Sequence, residues 1–375
     1  MANVVHFGKY YYPDTGGIES VTISLARGAA TYGHNVTVVC FGKTPGNGSE
    51  VIDGVRVIRT PIIKFVASQP LGFGYFFQCL SSAKNADVVH LHVPNMVSAL
   101  CSLFIPRGLR LLVHWHSDVV NKGILGKLLR PLETALLARA NGIVTTSQRY
   151  TDASETLAPF LSKVTVVPIG VSDVSHRATA TNHPLLSDER IRGKKIILAV
   201  GRLVPYKGFG VLIDAAKHLT NGAVVVIVGG GPLQEKLQQQ IEIAGVSDRV
   251  VLAGRVSYSA LQTFFNQAAL YCLPSISRAE AFGVVLLEAM SYGLPVVATD
   301  IPGSGVPWVN QQGISGLNVP LGNPVALADA CNQILASDEL RSRLSQGSRQ
   351  RFLAEFTEEV SVKRMMATYD RLIAS

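Results

Sequence analysis

Residues 195–208 read KIILAVGRLVPYKG, and they determine the fold class expected for the whole chain. A short, mostly aliphatic run, Lys195–Val200, reaches a glycine and then passes two cations, Arg202 and Lys207, before a helical pattern starts. A strand that leads into a helix through a glycine-containing loop is typical of a β-α unit. Because similar units recur along the chain, the sequence predicts an α/β protein with parallel sheets and right-handed crossovers.

The chain has 375 residues, and at about 100–200 residues per domain this length favours two domains. The polar stretch 173–193 interrupts the β-α alternation, and we interpret it as a linker. It separates an N-terminal domain, residues 1–172, from a C-terminal domain, residues 194–356. Both domains are predicted to be Rossmann-like, doubly wound parallel sheets that face a central cleft, with a ligand at the carboxyl ends of the strands.

The composition excludes several classes of protein. With 47% hydrophobic and 16% charged residues, the chain is not disordered. It has 34 Lys and Arg against 26 Asp and Glu, a formal charge of +8, which favours nucleic acid, an anionic membrane or a phosphorylated small molecule as partner. Five scattered cysteines indicate reduced thiols and a cytoplasmic protein. We find no signal-peptide pattern and no apolar stretch long enough to cross a bilayer.

Two loops that follow predicted strands contain residues suited to phosphate. Gly16 and Gly17 stand before the first helix, where free backbone amides favour an anion; an ordinary tight turn is the alternative. Arg202 and Lys207 follow the first strand of the second domain. Two cations there suit a diphosphate, whose leaving oxygen gains negative charge as its bond breaks; the alternative is a pair of solvated surface charges.

Glu280 and Glu288 stand eight residues apart, just over two helical turns. This spacing puts Glu280 at the start of a helix and Glu288 on nearly the same face. Glu288 lies in an otherwise apolar segment, where a carboxylate needs partners, and sugar hydroxyls are suitable ones. A structural helix with one internal salt bridge is the competing interpretation.

A histidine follows another predicted strand of the first half. His116 stands at the carboxyl end of this strand, where it is placed to hydrogen-bond or polarise a bound sugar. We expect His114 to point to the opposite face of the strand, so that only His116 reaches the cleft.

In their order and spacing, these residues resemble the retaining glycosyltransferases of family 4, which have the GT-B fold. The resemblance covers the whole chain. It rests on the early GlyGly loop, HSD at 116–118, PIGV at 168–171, GRLVPYKG at 201–208 and, as the most specific motif, EAFGVVLLE at 280–288.

The resemblance implies a role for each matching residue. Arg202 and Lys207 would hold the donor diphosphate, Glu280 would contact the donor sugar and Glu288 would bind the ribose. His116 would lie near the anomeric carbon. The implied catalytic residues are His116, Arg202, Lys207 and Glu280. The implied donor-binding residues are Gly16, Gly17, Arg202, Lys207, Glu280, Phe282, Gly283, Val284 and Glu288.

The expected reaction moves a hexose, with mannose from GDP-mannose as the best guess, to a hydroxyl of a glycan or polyprenyl-linked acceptor of O-antigen or another surface polysaccharide. No carboxylate is placed as nucleophile, so we expect a front-face displacement with retention, and no metal ion or other cofactor. A basic amphipathic pattern at 121–140 predicts a peripheral contact with the anionic inner face of the cytoplasmic membrane, unless it is an ordinary packed surface helix. The resemblance also implies that the C-terminal helix, 357–375, packs on the first domain.

Four alternatives stay open on the sequence alone. The donor could be a UDP-sugar, and the enzyme could be a GT-B sugar-nucleotide epimerase, which needs no acceptor. A dinucleotide-dependent oxidoreductase is disfavoured because Gln234 follows Gly229–Gly231 where a third spaced glycine is needed. A nucleic-acid binder is disfavoured because no basic stripe with interleaved aromatic residues is present.

Overall fold

The computed structural model describes residues 1–14, 16–42, 48–66, 69–118, 123–174 and 183–374, and for residues 123–128 it describes the backbone alone. The chain forms two compact units. The first contains residues 1–170 and 358–375, and the second contains residues 171–357. The change of unit falls two residues before the predicted end of the first domain, and the C-terminal helix belongs to the first unit.

The predicted linker is not a separate segment where it is described. Residues 173–174 and 183–193 belong to the second unit, while 175–182 lie outside the described residues. Val174 and Ile191 are 6% and 3% exposed, respectively. The stretch was interpreted as a linker because it is polar overall, but these two apolar side chains are buried and the stretch belongs to the second unit.

The first unit begins with β-α alternation and includes a small antiparallel hairpin. Its elements up to residue 170 are β1 (Asn3–Phe7), α1 (Gly17–Thr31), β2 (Asn35–Gly42), β3 (Ser49–Ile52), β4 (Val55–Pro61), β5 (Lys64–Val66), β6 (Gln69–Leu71), α2 (Phe73–Ala83), β7 (Val88–Val93), α3 (Met96–Ser102), β8 (Arg110–Trp115), α4 (Gly123–Arg139), β9 (Gly142–Thr145), α5 (Gln148–Asp152) and β10 (Val164–Val166).

The second unit repeats the same construction with fewer strands. Its elements are β11 (Lys195–Val200), α6 (Phe209–Ala215), β12 (Ala223–Val228), α7 (Gln234–Ile243), β13 (Val250–Gly254), α8 (Tyr258–Gln267), β14 (Ala268–Leu273), α9 (Val284–Ser291), β15 (Val296–Thr299), α10 (Val306–Val309), β16 (Gly316–Val319), α11 (Pro324–Ala336) and α12 (Asp338–Glu355). Helix α13 (Glu358–Ala374) then returns to the first unit.

Each unit has one main sheet, and in both sheets the order of the strands along the chain reverses near the centre. The first has the order β10-β9-β8-β7-β1-β2-β4-β3 and is parallel except for β3. The second has the order β13-β12-β11-β14-β15-β16 and is fully parallel. The order reverses between β1 and β7 and between β11 and β14, and doubly wound sheets bind ligands at such switch points. The predicted α/β class with two Rossmann-like domains is confirmed.

The central strands are apolar on both faces because helices cover both sides of the sheets. Every residue of β12, AVVVIV, is buried, and so is every residue of β7, VVHLHV. Continuous buried runs of this kind are typical of parallel strands. Two histidines within β7 are therefore the exceptions that need a physical explanation.

Helix α13 is fastened to the first unit by packing and by charge. Val362 packs where Gly28 leaves room, since a Cβ on that glycine would overlap the valine side chain. Arg27 donates to Glu358 at 2.5 Å. The phenol of Tyr369 reaches His6 and His90 in the sheet.

No helix in the described part of the chain is long and apolar enough to cross a membrane.

Candidate active site

The switch point of the second sheet brings together the loops that follow β11 and β14. Gly208 closes the first of these loops with a φ of +67°, and a Cβ there would overlap the carbonyl oxygen of Pro274. Only glycine tolerates both the left-handed backbone and this close approach. The glycine therefore brings the loop containing Lys207 against the loop containing Glu280.

Lys207 and Glu280 form a buried ion pair at this switch point. Nζ of Lys207 lies 2.6 Å from Oε2 of Glu280, and each residue is only 7% exposed. Ser275 donates to the same carboxylate oxygen at 2.9 Å, and Ser304 donates to the backbone carbonyl of Glu280 at 2.5 Å. Buried charges require this kind of pairing and additional hydrogen bonding. The two residues selected from the sequence are thus held together as one unit.

Arg202 differs from Lys207 in its surroundings, although both are in the same loop. Its side chain is exposed, and no described residue forms a hydrogen bond or ion pair with its guanidinium. Because Lys207 is neutralised by Glu280, Arg202 supplies the net positive charge of this loop. A planar guanidinium with five donors is well suited to a diphosphate.

The predicted donor-binding segment after Glu280 leads into helix α9. Gly283 has a φ of +79° and precedes the first helical residue, Val284. The amide of Leu286 donates to the carbonyl of Gly283, so the amides of Val284 and Val285 are the ones without an acceptor within the helix. Phe282 is 3% exposed and packs on Trp308 and Phe356, with ring centroids 6.3 and 6.2 Å away. The side chain of Phe282 belongs to the core, so its backbone is the part available to a ligand.

Glu288 is the fifth residue of α9 and lies in its second turn, whereas Glu280 lies in the loop before the helix and not at its start. Burial raises the pKa of its carboxyl group to about 7, and the charge of Lys207 acts in the opposite direction. No side chain in the described ranges hydrogen-bonds to this carboxylate. A partly buried carboxylate with unused acceptors is suited to hydroxyl groups, as the sequence predicts.

The predicted glycine loop of the first unit lies at the start of α1, after the switch-point strand β1. Gly16 is the N-terminal cap and Gly17 the first helical residue, and both are exposed; Thr15 lies outside the described residues. A Cβ on Gly16 would overlap Oε2 of Glu19. The helix N-terminus that was assigned to an anion therefore already has a carboxylate close to it.

His116 lies at the carboxyl end of β8, as expected, but the expectation for His114 is wrong. The two rings stack with centroids 4.0 Å apart and an interplanar angle of 12°. Side chains alternate along a strand, so residues two positions apart lie on the same face. The predicted separation of His114 from His116 contradicted that rule.

Three further histidines join these two in the interior of the first unit. His6 from β1 and His90 and His92 from β7 complete a buried cluster, which we call the histidine cluster. Its rings stack at 4.4–5.4 Å. Burial lowers the pKa values of His6 and His116 to about 3 and those of the other three well below the usual value. All five rings are therefore neutral near pH 7.

The sequence did not predict the histidine cluster or the serines around Glu280. The motifs HLH at 90–92 and HWH at 114–116 contained a signal, since alternate histidines on two neighbouring parallel strands face one another. Ser275 and Ser304 are 29 residues apart and have no local pattern. Ser275 shares the loop after β14 with Glu280, and the adjacent loop after β15 brings Ser304 to it.

Two acidic residues near the motifs have structural partners. Asp118, in the HSD motif, accepts hydrogen bonds from Trp115 at 2.9 Å and Ser154 at 2.8 Å. Asp173 forms a two-pronged ion pair with Arg349 at 2.9 and 2.6 Å.

Family descriptions match both units of the chain. Residues 16–170 match the family described as Glycosyl transferase 4-like domain, and residues 187–351 match Glycosyl transferases group 1. The chain is 32% identical over 375 residues to the O-antigen chain mannosyltransferase C of Escherichia coli, covering 99% of each sequence. It is 30% identical to the D-rhamnosyltransferase WbpZ of Pseudomonas aeruginosa, covering 94% of this chain and 92% of that protein.

Among solved structures, the chain is similar to the sucrose-phosphate synthase of Thermosynechococcus elongatus. The TM-score is 0.80 with 21% sequence identity, and the alignment covers 100% of both chains. At that identity the similarity concerns the fold, and it extends over both units.

Proposed function

This chain belongs to the retaining glycosyltransferases of family 4, and from that premise we propose that it transfers mannose from GDP-mannose to a hydroxyl of a growing surface polysaccharide. The single observation that supports the donor site best is the buried Lys207–Glu280 pair, which lies beside the unpaired Arg202 at a switch point. The choice of mannose and of an O-antigen-like acceptor follows the relative from Escherichia coli.

In the proposed reaction, the protein's main task is to stabilise the leaving group. Arg202 and the amides at the start of α9 face the negative charge that develops on the diphosphate as the glycosidic C–O bond breaks. The acceptor oxygen attacks the same face of the sugar, and its proton passes to the departing phosphate oxygen. Glu280 is engaged by Lys207 and Ser275, which makes it a hydrogen-bonding group and not a nucleophile.

We also propose that the transfer is independent of metal ions. Arg202, whose charge is not neutralised by a described partner, supplies positive charge of the kind that a metal would otherwise provide. Among the described residues, the sets of side chains able to hold a metal are histidines of the first unit, not residues of the loops after β11 and β14. Full transfer activity after treatment with EDTA is the expected result, and restoration of lost activity by Mg²⁺ or Mn²⁺ would contradict it.

A second donor, a nucleotide-linked D-rhamnose, is supported by the relative from Pseudomonas aeruginosa. D-Rhamnose is mannose without the 6-hydroxyl group, so the two donors test one hydrogen-bonding position. A site built to bind that hydroxyl discriminates strongly against a sugar that lacks it. Thermal stabilisation and transfer measured with GDP-mannose, GDP-D-rhamnose, UDP-glucose and UDP-N-acetylglucosamine test the proposal, and GDP-mannose is expected to give the largest effect. Preference for either UDP-sugar would reject the proposal.

We further propose that the acceptor is linked to a lipid and that the first unit rests on the membrane. The predicted contact at 121–140 falls partly outside the described residues, which exclude 119–122. In the described part of α4, Leu136 and Leu137 are fully buried, so this part packs as an ordinary surface helix. A different surface of the unit supports a lipid contact better.

That surface is an apolar groove of about 550 Å³ between hairpin β5–β6 and helices α2 and α3. Phe73 and Phe77 at its edge are 77% and 66% exposed, and Lys64 also lines the groove. Large exposed apolar surfaces mark interaction sites, and apolar residues with nearby cations suit an anionic bilayer. Hydrocarbon of a lipid is the occupant we assign to it.

Sedimentation with liposomes tests this assignment. The wild type is expected to sediment with vesicles of phosphatidylglycerol, and F73S/F77S is expected to lose most of that binding. The matched control is Ile243→Ser in α7 of the second unit, which replaces an apolar residue that is even more exposed, at 88%. Equal loss in both variants, or no binding by the wild type, would reject the assignment.

A further inference from the structure

The histidine cluster contains a continuous line of hydrogen-bonding contacts that ends at His116. The phenol oxygen of Tyr369 lies 3.3 Å from Nε2 of His6. Nδ1 of His6 lies 3.1 Å from Nε2 of His92, and Nδ1 of His92 lies 3.1 Å from Nε2 of His116. All four side chains are buried. We call this line the histidine chain.

Because its rings are neutral, the positions of their protons are coupled. A neutral imidazole has one N–H donor and one acceptor nitrogen, so each contact needs a proton on exactly one side. Only two arrangements satisfy every contact between the rings. Either all three histidines have the proton on Nδ1, or all three have it on Nε2.

The other contact of Tyr369 distinguishes the two arrangements. Its oxygen also lies 2.7 Å from Nδ1 of His90, and Nε2 of His90 is buried without a partner among the described residues. With the protons on Nδ1, Tyr369 donates to His6 and His90 donates to Tyr369. The buried atom left without a partner is then Nε2 of His90, an unused acceptor, whereas Nδ1 of His116 is not among the buried atoms without a partner.

With the protons on Nε2, a buried donor is left without an acceptor. His6 then donates to the oxygen of Tyr369, and Nδ1 of His90 is the only described acceptor within reach of the phenol proton. If Tyr369 donates to His90, the Nε2–H of His90 has no acceptor; if His90 donates instead, the phenol proton has none. Orphaned buried donors are rarer in proteins than unused acceptors, so the first arrangement is favoured.

We propose that the histidine chain, Tyr369–His6–His92, holds His116 as a neutral ring with its proton on Nδ1, which makes His116 a hydrogen-bond donor at the carboxyl edge of the sheet. His92 is then a positioning residue, because it acts through His116. Nε2 of His116 is occupied by His92, and no described side chain hydrogen-bonds to Nδ1. The consequence for catalysis rests on the proposed function, whereas the proton position does not.

Nitrogen-15 spectra of the full chain labelled at histidine measure the proton position directly, without substrate. The ring signals of His116 are identified by their absence in His116→Asn. The expected spectrum has a protonated Nδ1 and an unprotonated Nε2 at pH 7.5. A protonated Nε2, or averaged shifts from a mixture of tautomers, would overturn the proposal whether or not the donor assay succeeds.

Two variants of His92 test its positioning role. Asn places an amide near the position of Nδ1 and keeps a partner for His116, whereas Gln places one near Nε2 and keeps only the partner of His6. We expect His92→Gln to lower kcat by about tenfold or more with little change in the KM for donor, since a wrong tautomer impairs catalysis. His92→Asn is expected to restore most of kcat. Equal kcat and identical His116 spectra in both variants would overturn the role of His92.

Discussion

The two sheets of this chain bury polar groups at their switch points in opposite ways. The first sheet buries five neutral histidines, which stack on one another and of which His6, His92 and His116 are joined by hydrogen bonds. The second buries a lysine and a glutamate as an ion pair supported by serines. Neutral rings avoid the cost of burying charge but lose that advantage when they gain a proton, while an ion pair depends on both of its partners. Although the two units have similar folds, we therefore expect the first to be sensitive to protonation of its histidines and the second to the loss of one partner of its ion pair.

Acid should expose this difference most strongly. The pKa values of His6 and His116 are about 3 in the folded chain against 6.5 in the unfolded chain. The unfolded state therefore binds more protons below pH 6.5, and stability falls as the pH falls from 6.5 towards 3. At pH 5, each of these two residues lowers the free energy of unfolding by about 2 kcal/mol, and the other three histidines act in the same direction.

The two tryptophans allow each unit to be followed separately. Trp115 is in the first unit and Trp308 in the second. Trp308→Phe leaves a reporter of the first unit, and Trp115→Phe leaves a reporter of the second. Urea unfolding between pH 8 and 5 should show the first reporter losing stability more steeply. If both reporters lose stability equally in the two variants, burial of neutral histidines does not distinguish the sheets.

Removing one partner of the ion pair should destabilise the second unit. Lys207→Met leaves the buried carboxylate of Glu280 without its cation, at an expected cost of about 3–5 kcal/mol. K207M/E280Q removes both charges while keeping an acceptor for Ser275, so most of the stability should return while transfer activity stays low. Urea unfolding followed at Trp308 measures the first effect and a transfer assay the second. Equal stability of the single and double variants would contradict the ion-pair account.

The sequence predicted strands better than the contacts between them. The aliphatic run Lys195–Val200, followed by a glycine, identified β11 with its observed ends. Helix α12, DELRSRLSQGSRQRFLAE, was missed because it is largely polar and contains Gly347. Its position is fixed by tertiary packing, since a Cβ on Gly347 would overlap the carbonyl oxygen of Ile314.

In the candidate site, too, the sequence predicted individual residues better than the contacts between them. Residues directly after strands, such as Arg202 and His116, could be selected from the sequence because the carboxyl ends of parallel strands meet at one edge. The pairing of Lys207 with Glu280 could not be predicted, because the two residues are 73 positions apart and only the strand order makes their loops adjacent. Hydrogen bonds along the histidine cluster likewise depend on register, which places His6 beside His90 and His92 beside His114.

Arg202 tests the proposed donor site of the second unit with less risk to stability than Lys207 does, because Arg202 is exposed and has no partner among the described residues. Arg202→Ala should lower kcat by about 10²–10³-fold, the usual loss when a group that stabilises a leaving charge is removed. It should leave the urea midpoint unchanged, since surface substitutions seldom alter stability. Arg343→Ala on α12 removes another exposed arginine of the same unit and should change neither quantity. Near-normal turnover of Arg202→Ala would sink the electrostatic mechanism.

Glu288 should give the second unit a pH dependence of opposite sign to that of the histidines. Burial raises its pKa to about 7 in the folded chain, against the ordinary value near 4.5, so the folded state binds more protons between these values. Stability then rises as the pH falls, by about 2 kcal/mol at pH 5.5 relative to pH 8. Glu288→Gln has no such titration. Urea unfolding followed at Trp308 gives the free energy of unfolding of the wild type and of this variant at each pH, and the difference between the two isolates the effect of Glu288. A difference that is independent of pH would place the ionised carboxylate in contact with solvent or a cation, and the two sheets would then no longer differ in the sign of their response to acid.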